Sequence, residues 1–335
     1  MEKRSLFQRI IQKRIIIMFF MLLLEIVVFA LFSTKNNSIA EVFSGKSAFL
    51  NPRNLVQVIN QLPIALFLTT GITLLMISGK LDLSTGMNGT LCAMVVAALL
   101  RDGMPVVPTL FIAVLIGVLI GFVNAVLVNE LRVAPFVATI ATTYIAQGIT
   151  HVIANKIAIL ITDDVMRYYG TTIFWDAIPF SALVAGVFMV IAGIILHRTR
   201  MGRKIYLVGG NPQAAMLSGV NPKKASYVLF MVCGLFSAFA GITYAARQLS
   251  GNMSGISSAR YQGITAAVLG GIAFGGGMGG MGGAFVGLLV LNTFTNGLTT
   301  IGTSVHFNQM ASGLLLVFAL ALDFIQQKQN EKVVA

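Results

Sequence analysis

The sequence has little charge. Only 10% of its 335 residues are Asp, Glu, Lys or Arg, whereas 56% are hydrophobic. Soluble domains carry roughly 25% charged residues, so this composition argues against a soluble globular protein. A membrane protein has such a composition because a charge near the middle of a bilayer costs several kcal/mol. We therefore expect an integral membrane protein.

Cysteine is almost absent, and the residue patterns of common enzymes are missing. Cys92 and Cys233 both lie within apolar runs, which supports neither a disulfide framework nor a metal site. We interpret both as packing residues. The sequence has no Ser/His/Asp pattern, no HExxH motif and no cluster of His and Cys. It therefore predicts a protein that is not an enzyme and binds no cofactor or metal.

Two motifs resemble nucleotide-binding sequences and fail for specific reasons. Ser44-Gly45-Lys46-Ser47 resembles the end of a phosphate-binding loop, but Ala40 stands where the first glycine is required. Gly275, Gly277 and Gly280 match a dinucleotide fingerprint only by letter, because the whole stretch 275–283 is mostly glycine. The chain therefore shows no means of hydrolysing a nucleotide.

Cations are plentiful, and the net charge is +12. In a soluble protein this balance would indicate nucleic-acid binding. Here the cations gather at the ends of apolar runs, so we interpret them as topology signals and contacts with membrane lipid, with no nucleic acid.

Apolar windows of about 20 residues predict the membrane-crossing helices, since that length spans about 30 Å of hydrocarbon. The first window follows a basic tail, exceeds the roughly 7–15 residues of a secretion signal and has no cleavage site after it. We place ten helices near residues 15–32, 54–78, 86–101, 108–128, 135–154, 178–196, 226–246, 261–274, 283–300 and 308–326.

The distribution of cations predicts the orientation. With the N-terminus inside, fifteen Lys and Arg residues lie on the cytoplasmic side and eight lie outside. This agrees with the positive-inside bias. The predicted fold is an all-α integral membrane protein of about ten transmembrane helices, one domain over residues 1–335, with both termini cytoplasmic.

Residues 197–226 form the only long polar, cation-rich segment between two apolar regions, with six Lys and Arg and no acidic residue. Asn211 can cap a helix, and Pro212 suits its first position. Gly219 then ends it, before Asn221-Pro222. Because a helix of one to two turns is unstable alone in water, we expect it to dock on another protein.

Several helices are interrupted. The second carries Asn60-Gln61-Leu62-Pro63 and ends at the break 79–86, and a glycine-rich break follows at 275–283. These breaks look like corresponding points of two related halves, helices 2–5 and 7–10. Paired breaks of this kind indicate a transport pathway. The alternative is close helix packing by small residues, which needs no function, and both interpretations can hold together.

Uncharged polar residues interrupt the apolar runs and are candidates for a solute path. They can exchange hydrogen bonds with a hydroxyl-rich solute, whereas a cation path more typically carries carboxylates or His at mid-bilayer. For any single amide, bonding between helices is the alternative role. The candidates are Asn60, Gln61, Asn124, Thr142, Gln147, Asn292, Asn296 and Gln309.

Several stretches of the chain match one protein family. The stretch from Met201 to Val220, with GGNPQAAMLSGVN at 209–221, is similar to the coupling segment of permease subunits of ABC importers, in the ribose/galactose/xylose branch. The stretch 80–86, KLDLSTG, is similar to the family's G-G-I-D-L-S-x-G, and 121–139 and 266–271 also match. The resemblance runs from about residue 55 to 325 in the same order and spacing.

The resemblance implies a mechanism and partners. A separate ATP-binding subunit would receive the coupling segment. A periplasmic or lipid-anchored solute-binding protein would deliver a sugar or sugar-like solute. A second permease chain, identical to the first, would complete the path in a bacterial inner membrane. The residues expected to couple to the ATPase are Arg203, Asn211, Pro212, Ala214, Ala215 and Gly219.

Three positions depart from the family pattern. Lys80 replaces a usual glycine, and Tyr261-Gln262-Gly263 stands where many members have an acidic stretch. The segment 306–309 lacks the Trp common before Gln309. The last two departures lie near the presumed outer side, so they bear on which sugar and which binding protein fit.

Other functions remain as alternatives. The main one is a secondary transporter driven by an ion gradient, with Glu25 and Asp82 as carriers. A membrane-embedded enzyme would need a nucleophile or metal cluster, and the sequence offers none. The neutral polar positions argue weakly against a scaffold that transports nothing.

Overall fold

The computed structural model describes residues 14–35 and 37–334, and helices make up most of them. The helices are α1 (Arg14–Phe32), α2 (Ile39–Phe43), α3 (Pro52–Ile77), α4 (Thr85–Arg101), α5 (Val106–Asn129), α6 (Pro135–Ala154), α7 (Asp164–Thr171), α8 (Phe180–Arg198), α9 (Arg200–Gly210), α10 (Pro212–Leu217), α11 (Pro222–Gln248), α12 (Ala259–Leu269), α13 (Met281–Thr300) and α14 (Val305–Val334).

Two pairs of very short antiparallel strands lie in the segments that connect the helices. β1 (Ile159–Leu160) pairs with β4 (Ser250–Gly251), and β2 (Ile173–Phe174) pairs with β3 (Ile178–Pro179). The first pair joins the segment after α6 to the segment after α11. These strands therefore place the far ends of α6 and α11 on the same side of the bundle.

Each of the ten apolar windows overlaps a helix. Within the described residues, α1, α3, α5, α6, α8, α11 and α13 are each long and apolar enough to cross a membrane. The prediction of an all-α membrane protein with several spans is confirmed. α4 has 17 residues and α12 has 11, so both are shorter than these seven.

One predicted helix ends early. The window 261–274 predicts a helix that continues to residue 274, but α12 ends at Leu269. Gly271 has a φ of +87°, which an α-helix does not accommodate. A Cβ on Gly270 would lie 2.2 Å from the Gly283 carbonyl oxygen, so the chain turns where two backbones touch.

The bundle is organised around α3 and α11. Most residues of these two helices are buried, whereas only 22% of the apolar span Ile15–Phe32 in α1 is buried. α11 packs along α3, α4 and α5, and an aromatic cluster fills the space between α3, α8 and α11. The rings of this cluster are Phe67, Phe188, Phe236 and Phe239.

Both cysteines serve packing. Cys92 and Cys233 are free and fully buried. The Cys92 thiol lies 3.3 Å from the Ala113 carbonyl oxygen of α5. The interpretation of both as packing residues is confirmed.

Candidate functional site

A polar cavity of about 410 Å³ lies between α3, α11, α12 and α13. Six carboxamide side chains line it, together with three hydroxyls and one cation. Its aliphatic wall includes Ile64, Leu288 and Leu291. The polar lining consists of Gln57, Asn60, Gln61, Gln248, Gln262, Asn292, Tyr244, Ser258, Thr295 and Arg247.

Local sequence explains how α3 presents its amides to this cavity. Pro63 lies inside α3 and cannot donate a hydrogen bond to a carbonyl in the preceding turn. In that turn, the Val58 carbonyl oxygen accepts a hydrogen bond of 2.8 Å from Asn292 Nδ2 of α13. The carbonyl that loses its helical donor to Pro63 is that of Ile59, four residues before the proline, so the bond from Asn292 ties α13 to α3 one residue away from it. The bond also holds Asn292 beside Asn60 and Gln61.

The cavity brings together three of the eight predicted path residues, namely Asn60, Gln61 and Asn292. Asn296 lies one turn further along α13 and is not in its lining. Asn296 and Asn54 of α3 exchange two hydrogen bonds of 3.0 and 3.2 Å. In this structure Asn296 therefore joins two helices.

Asn124 and Thr142 belong to a second, fully buried polar network. Asp82 is 1% exposed and accepts hydrogen bonds from the Ser84 backbone N–H at 2.7 Å and the Ser84 hydroxyl at 2.6 Å. Asn124 Nδ2 donates to Ser84 Oγ at 2.9 Å, and Asn124 Oδ1 accepts from the Thr142 hydroxyl at 2.7 Å. This network fixes the first helix break to α5 and α6.

The last two predicted path residues lie elsewhere. Gln147 is half-buried on α6, and Gln309 is exposed on α14. Neither lines the cavity.

Seven polar cavity residues were not among the predicted ones, and two of them are Ser258 and Thr295. Gln57, Tyr244, Arg247, Gln248 and Gln262 all lie near helix ends, where polar side chains are expected without any site. One signal did exist, because Gln262 is part of the departure from the family's acidic stretch. Because these residues are far apart along the chain, the sequence alone does not show that they line one cavity.

The short helix predicted between Asn211 and Gly219 is present as α10. The Asn211 side chain accepts hydrogen bonds from the Gln213 and Ala214 backbone N–H groups, each at 3.0 Å. Pro212 is the first residue of the helix, and Gly219 follows it with a φ of +77°. The helix α9 was not predicted, although the Thr199 side chain caps it by accepting a hydrogen bond from the Gly202 backbone N–H.

The exposure of α10 revises the expected role of its alanines. Ala215 has no exposed surface, so its small size serves packing within this chain. We expected both alanines to face a partner's groove, and only Ala214 is exposed to do so. Met216 is 60% exposed and Leu217 92%, which makes them the apolar surface at this tip. Arg203 is exposed on α9.

Polar contacts join the connector after α3 and the end of α5 to the start of α11. Lys80 Nζ donates to Asn129 Oδ1 at 3.0 Å and to Ser226 Oγ, and burial lowers the pKa of Lys80 to about 8. Lys223 forms an ion pair of 2.6 Å with Glu130. The hydrogen bond from Lys223 holds the pKa of the Glu130 carboxyl below its ordinary value.

The architecture indicates the class of protein. Apolar helices surround a cavity whose polar lining is amides, hydroxyls and one arginine. Within residues 14–35 and 37–334, His, Cys, Asp and Glu do not cluster in a way that could hold a metal ion. Such a bundle belongs to a membrane transport protein.

The family follows from the comparison with known proteins. The family model described as "Branched-chain amino acid transport system / permease component" matches residues 54–320. The chain therefore belongs to this permease family.

Relatives within the family are named as sugar permeases. The ribose import permease of Bacillus subtilis (strain 168) is 31% identical over 278 residues, covering 82% of this chain and 86% of the relative. The D-allose permease of Escherichia coli (strain K12) is 30% identical over 285 residues, covering 84% and 86%. The galactose/methyl galactoside import permease of Salmonella typhimurium is 29% identical over 304 residues, covering 84% and 90%.

These matches confirm the family predicted from the motifs and the function of a permease that forms a translocation pathway. The relatives are transporter components, in agreement with the prediction that this chain is not an enzyme. The predicted location, a multi-pass protein of the bacterial plasma membrane, is confirmed as well.

Proposed function

We propose that this chain is the membrane-spanning permease of an ATP-driven importer for a sugar or sugar-like solute. The observation that carries the proposal is the cavity of about 410 Å³, whose lining is carboxamide and hydroxyl with a single cation. Its volume lies in the range of roughly 300–1,000 Å³ found for small-molecule sites. The sugars in the names of the relatives supply the solute class.

The chemistry of the lining suits a hydroxyl-rich solute. Each carboxamide both donates and accepts hydrogen bonds, as a sugar hydroxyl does. The Arg247 guanidinium can donate to two adjacent hydroxyls, and the Tyr244 ring offers an apolar face with a polar edge. In this proposal Asn60, Gln61 and Asn292 contact the solute, while Asn124 and Thr142 hold the helices that surround its path.

We further propose ten spans in one domain, in two related halves with both termini cytoplasmic. Contacts between helix ends support this topology, because helix ends that it assigns to the same side of the membrane contact each other. On the inner side Lys80 bonds Asn129 and Ser226. On the outer side Ile159 pairs with Gly251, at the far ends of α6 and α11. The cavity then opens outward, where a binding protein delivers the solute.

Three protein partners belong to the proposal. A separate ATPase contacts the coupling segment through the apolar tip at Met216 and Leu217, and a solute-binding protein docks on the outer connectors. A second copy of this chain covers α6 and α14. Gln147 and Gln309 support this second copy, since an amide on a largely apolar surface is better placed against protein than against lipid.

Transport by the reconstituted complex tests the proposal. The chain is placed in liposomes with the ATPase and binding protein that copurify with it, and uptake of labelled ribose, allose and galactose is measured. We expect uptake of at least one sugar against its gradient, and only with ATP and both partners present. Uphill transport by this chain alone would contradict the proposal, and so would failure of all three sugars to move.

A further inference from the structure

Three segments that are distant in sequence meet backbone to backbone at glycines. The end of α9 contributes Gly209, the end of α3 contributes Gly79, and the glycine-rich break contributes Gly276. A Cβ on Gly209 would lie 1.9 Å from the Ile77 carbonyl oxygen, and one on Gly276 would lie 2.5 Å from the Gly79 nitrogen. Real Cβ atoms do not approach other atoms this closely, so these positions leave no room for a side chain.

Hydrogen bonds join the same three segments. The Gly277 N–H donates to the Ile77 carbonyl oxygen at 2.8 Å, which ties the glycine-rich break to the end of α3. The Tyr206 hydroxyl of α9 donates to the Gly279 carbonyl oxygen at 2.7 Å. Gly79 and Gly276 also have φ values of +79° and +84°, a region that favours glycine.

The helices that leave this meeting point lead to both functional regions. α9 continues directly into the coupling helix α10 through Asn211. α3 runs from the meeting point to Gln57 and Asn60 in the cavity. α13 begins just after the glycine-rich break and carries Asn292 to the same cavity. The three segments therefore connect the ATPase-facing helix with two of the four helices around the cavity.

We infer that Gly79, Gly209 and Gly276 form a glycine junction that positions the coupling segment against both helix breaks and passes its displacement to α3 and α13. A contact between side chains can absorb a shift by changing rotamers, whereas a backbone contact has no such freedom. The α9 helix is equally constrained at its start, where a Cβ on Gly202 would lie 1.8 Å from the Leu196 carbonyl oxygen. The inference rests on the proposed function, since it assumes that α10 receives a push from an ATPase.

Adjacent glycines provide matched controls. Gly210 follows Gly209 in the same helix, and Gly275 precedes Gly276, yet a Cβ on either control would meet nothing within 4 Å. The experiment compares Gly209→Ala with Gly210→Ala, and Gly276→Ala with Gly275→Ala, in the reconstituted complex. Sugar uptake per ATP hydrolysed is the main readout, and copurification of the ATPase shows whether α10 still docks.

We expect Gly209→Ala and Gly276→Ala to retain the ATPase but to lose uptake per ATP by about tenfold, within the usual range of coupling factors. Gly210→Ala and Gly275→Ala should match the wild type. Equal behaviour within each pair would overturn the inference.

A second variant tests the glycine junction if the added methyl groups prevent folding. Tyr206→Phe removes the hydrogen bond to Gly279 without adding an atom. We expect it to keep the ATPase and to lose part of the uptake per ATP, and full coupling would count against the junction. Failure of the proposed function looks different, because then the wild type itself would show no ATP-dependent uptake.

Discussion

The cavity and the glycine junction are formed by opposite kinds of groups. The cavity is lined by long side chains that can adjust their hydrogen bonds, such as Gln57 and Gln262. At the junction three backbones touch, and glycine removes the side chains altogether. The difference agrees with two separate roles. The adaptable side chains of the cavity would recognise a solute, and the rigid backbone contacts of the junction would transmit a displacement. Five variants, together with one control, can break or sharpen this contrast.

The largest effect is expected at the coupling tip. Leu217→Asp places a charge on a side chain that is 92% exposed, so folding should be unaffected. If this leucine enters a groove of the ATPase, burying an unpaired charge there is costly. We expect loss of ATPase copurification and uptake at background level. Trp175→Asp is the matched control for ATPase copurification, since Trp175 is 81% exposed in the connector between α7 and α8. An ATPase that still copurifies with Leu217→Asp would exclude the tip as the docking surface.

The next effect concerns recognition in the cavity. Asn60→Leu keeps the size of the side chain but removes its donors and acceptor, so a solute hydroxyl would lose its partner. We expect the apparent KM for uptake to rise about tenfold, which corresponds to about 1.4 kcal/mol. ATPase copurification and the thermal melting temperature should be unchanged.

Asn296→Leu provides the contrasting variant for that experiment. It breaks the Asn54–Asn296 pair outside the cavity, and interhelical hydrogen bonds in membranes contribute about 0.6 kcal/mol on average. The melting temperature should fall while the KM stays constant. A change of KM in Asn296→Leu, or none in Asn60→Leu, would reverse the assignment of these two amides.

A smaller effect is expected from Lys80, in the connector between α3 and α4. Burial lowers the pKa of Lys80 from 10.5 to about 8 in the folded chain. Between these values the unfolded chain binds more protons than the folded one, so the free energy of unfolding rises with pH across this window. Melting temperatures of detergent-solubilised wild type and Lys80→Gln, measured from pH 7.5 to 10, should show this rise only in the wild type. Parallel curves would exclude Lys80 as its source.

Glu25→Gln is expected to have no effect on uptake. Both Glu25 carboxyl oxygens are buried in α1, with no hydrogen-bond partner among the described residues. An importer driven by ATP does not need this group, and an amide avoids placing a charge in hydrocarbon. Uptake should equal that of the wild type across a range of ion gradients. Abolished uptake would instead favour transport coupled to an ion gradient through Glu25.

Local signals predicted much of the fold. α10 begins and ends where Asn211, Pro212 and Gly219 predict, because capping and φ preferences act within a few residues. α9 was missed although Thr199 caps it. Its two terminal glycines disfavour a helix in isolation, and its buried side chains, Ile205 and Val208, are stabilised by packing against the bundle.

The sequence alone determined that this chain resides in a membrane, where its apolar helices lie and which family it belongs to. Hydrophobic transfer, helix capping and motif order all depend on residues that are close along the chain. Only the tertiary structure decided that Ala215 faces inward, that Asn292 reaches α3 and that Gly79, Gly209 and Gly276 touch. Such contacts join residues that are far apart along the chain, and their geometry depends on how whole helices pack rather than on any local preference.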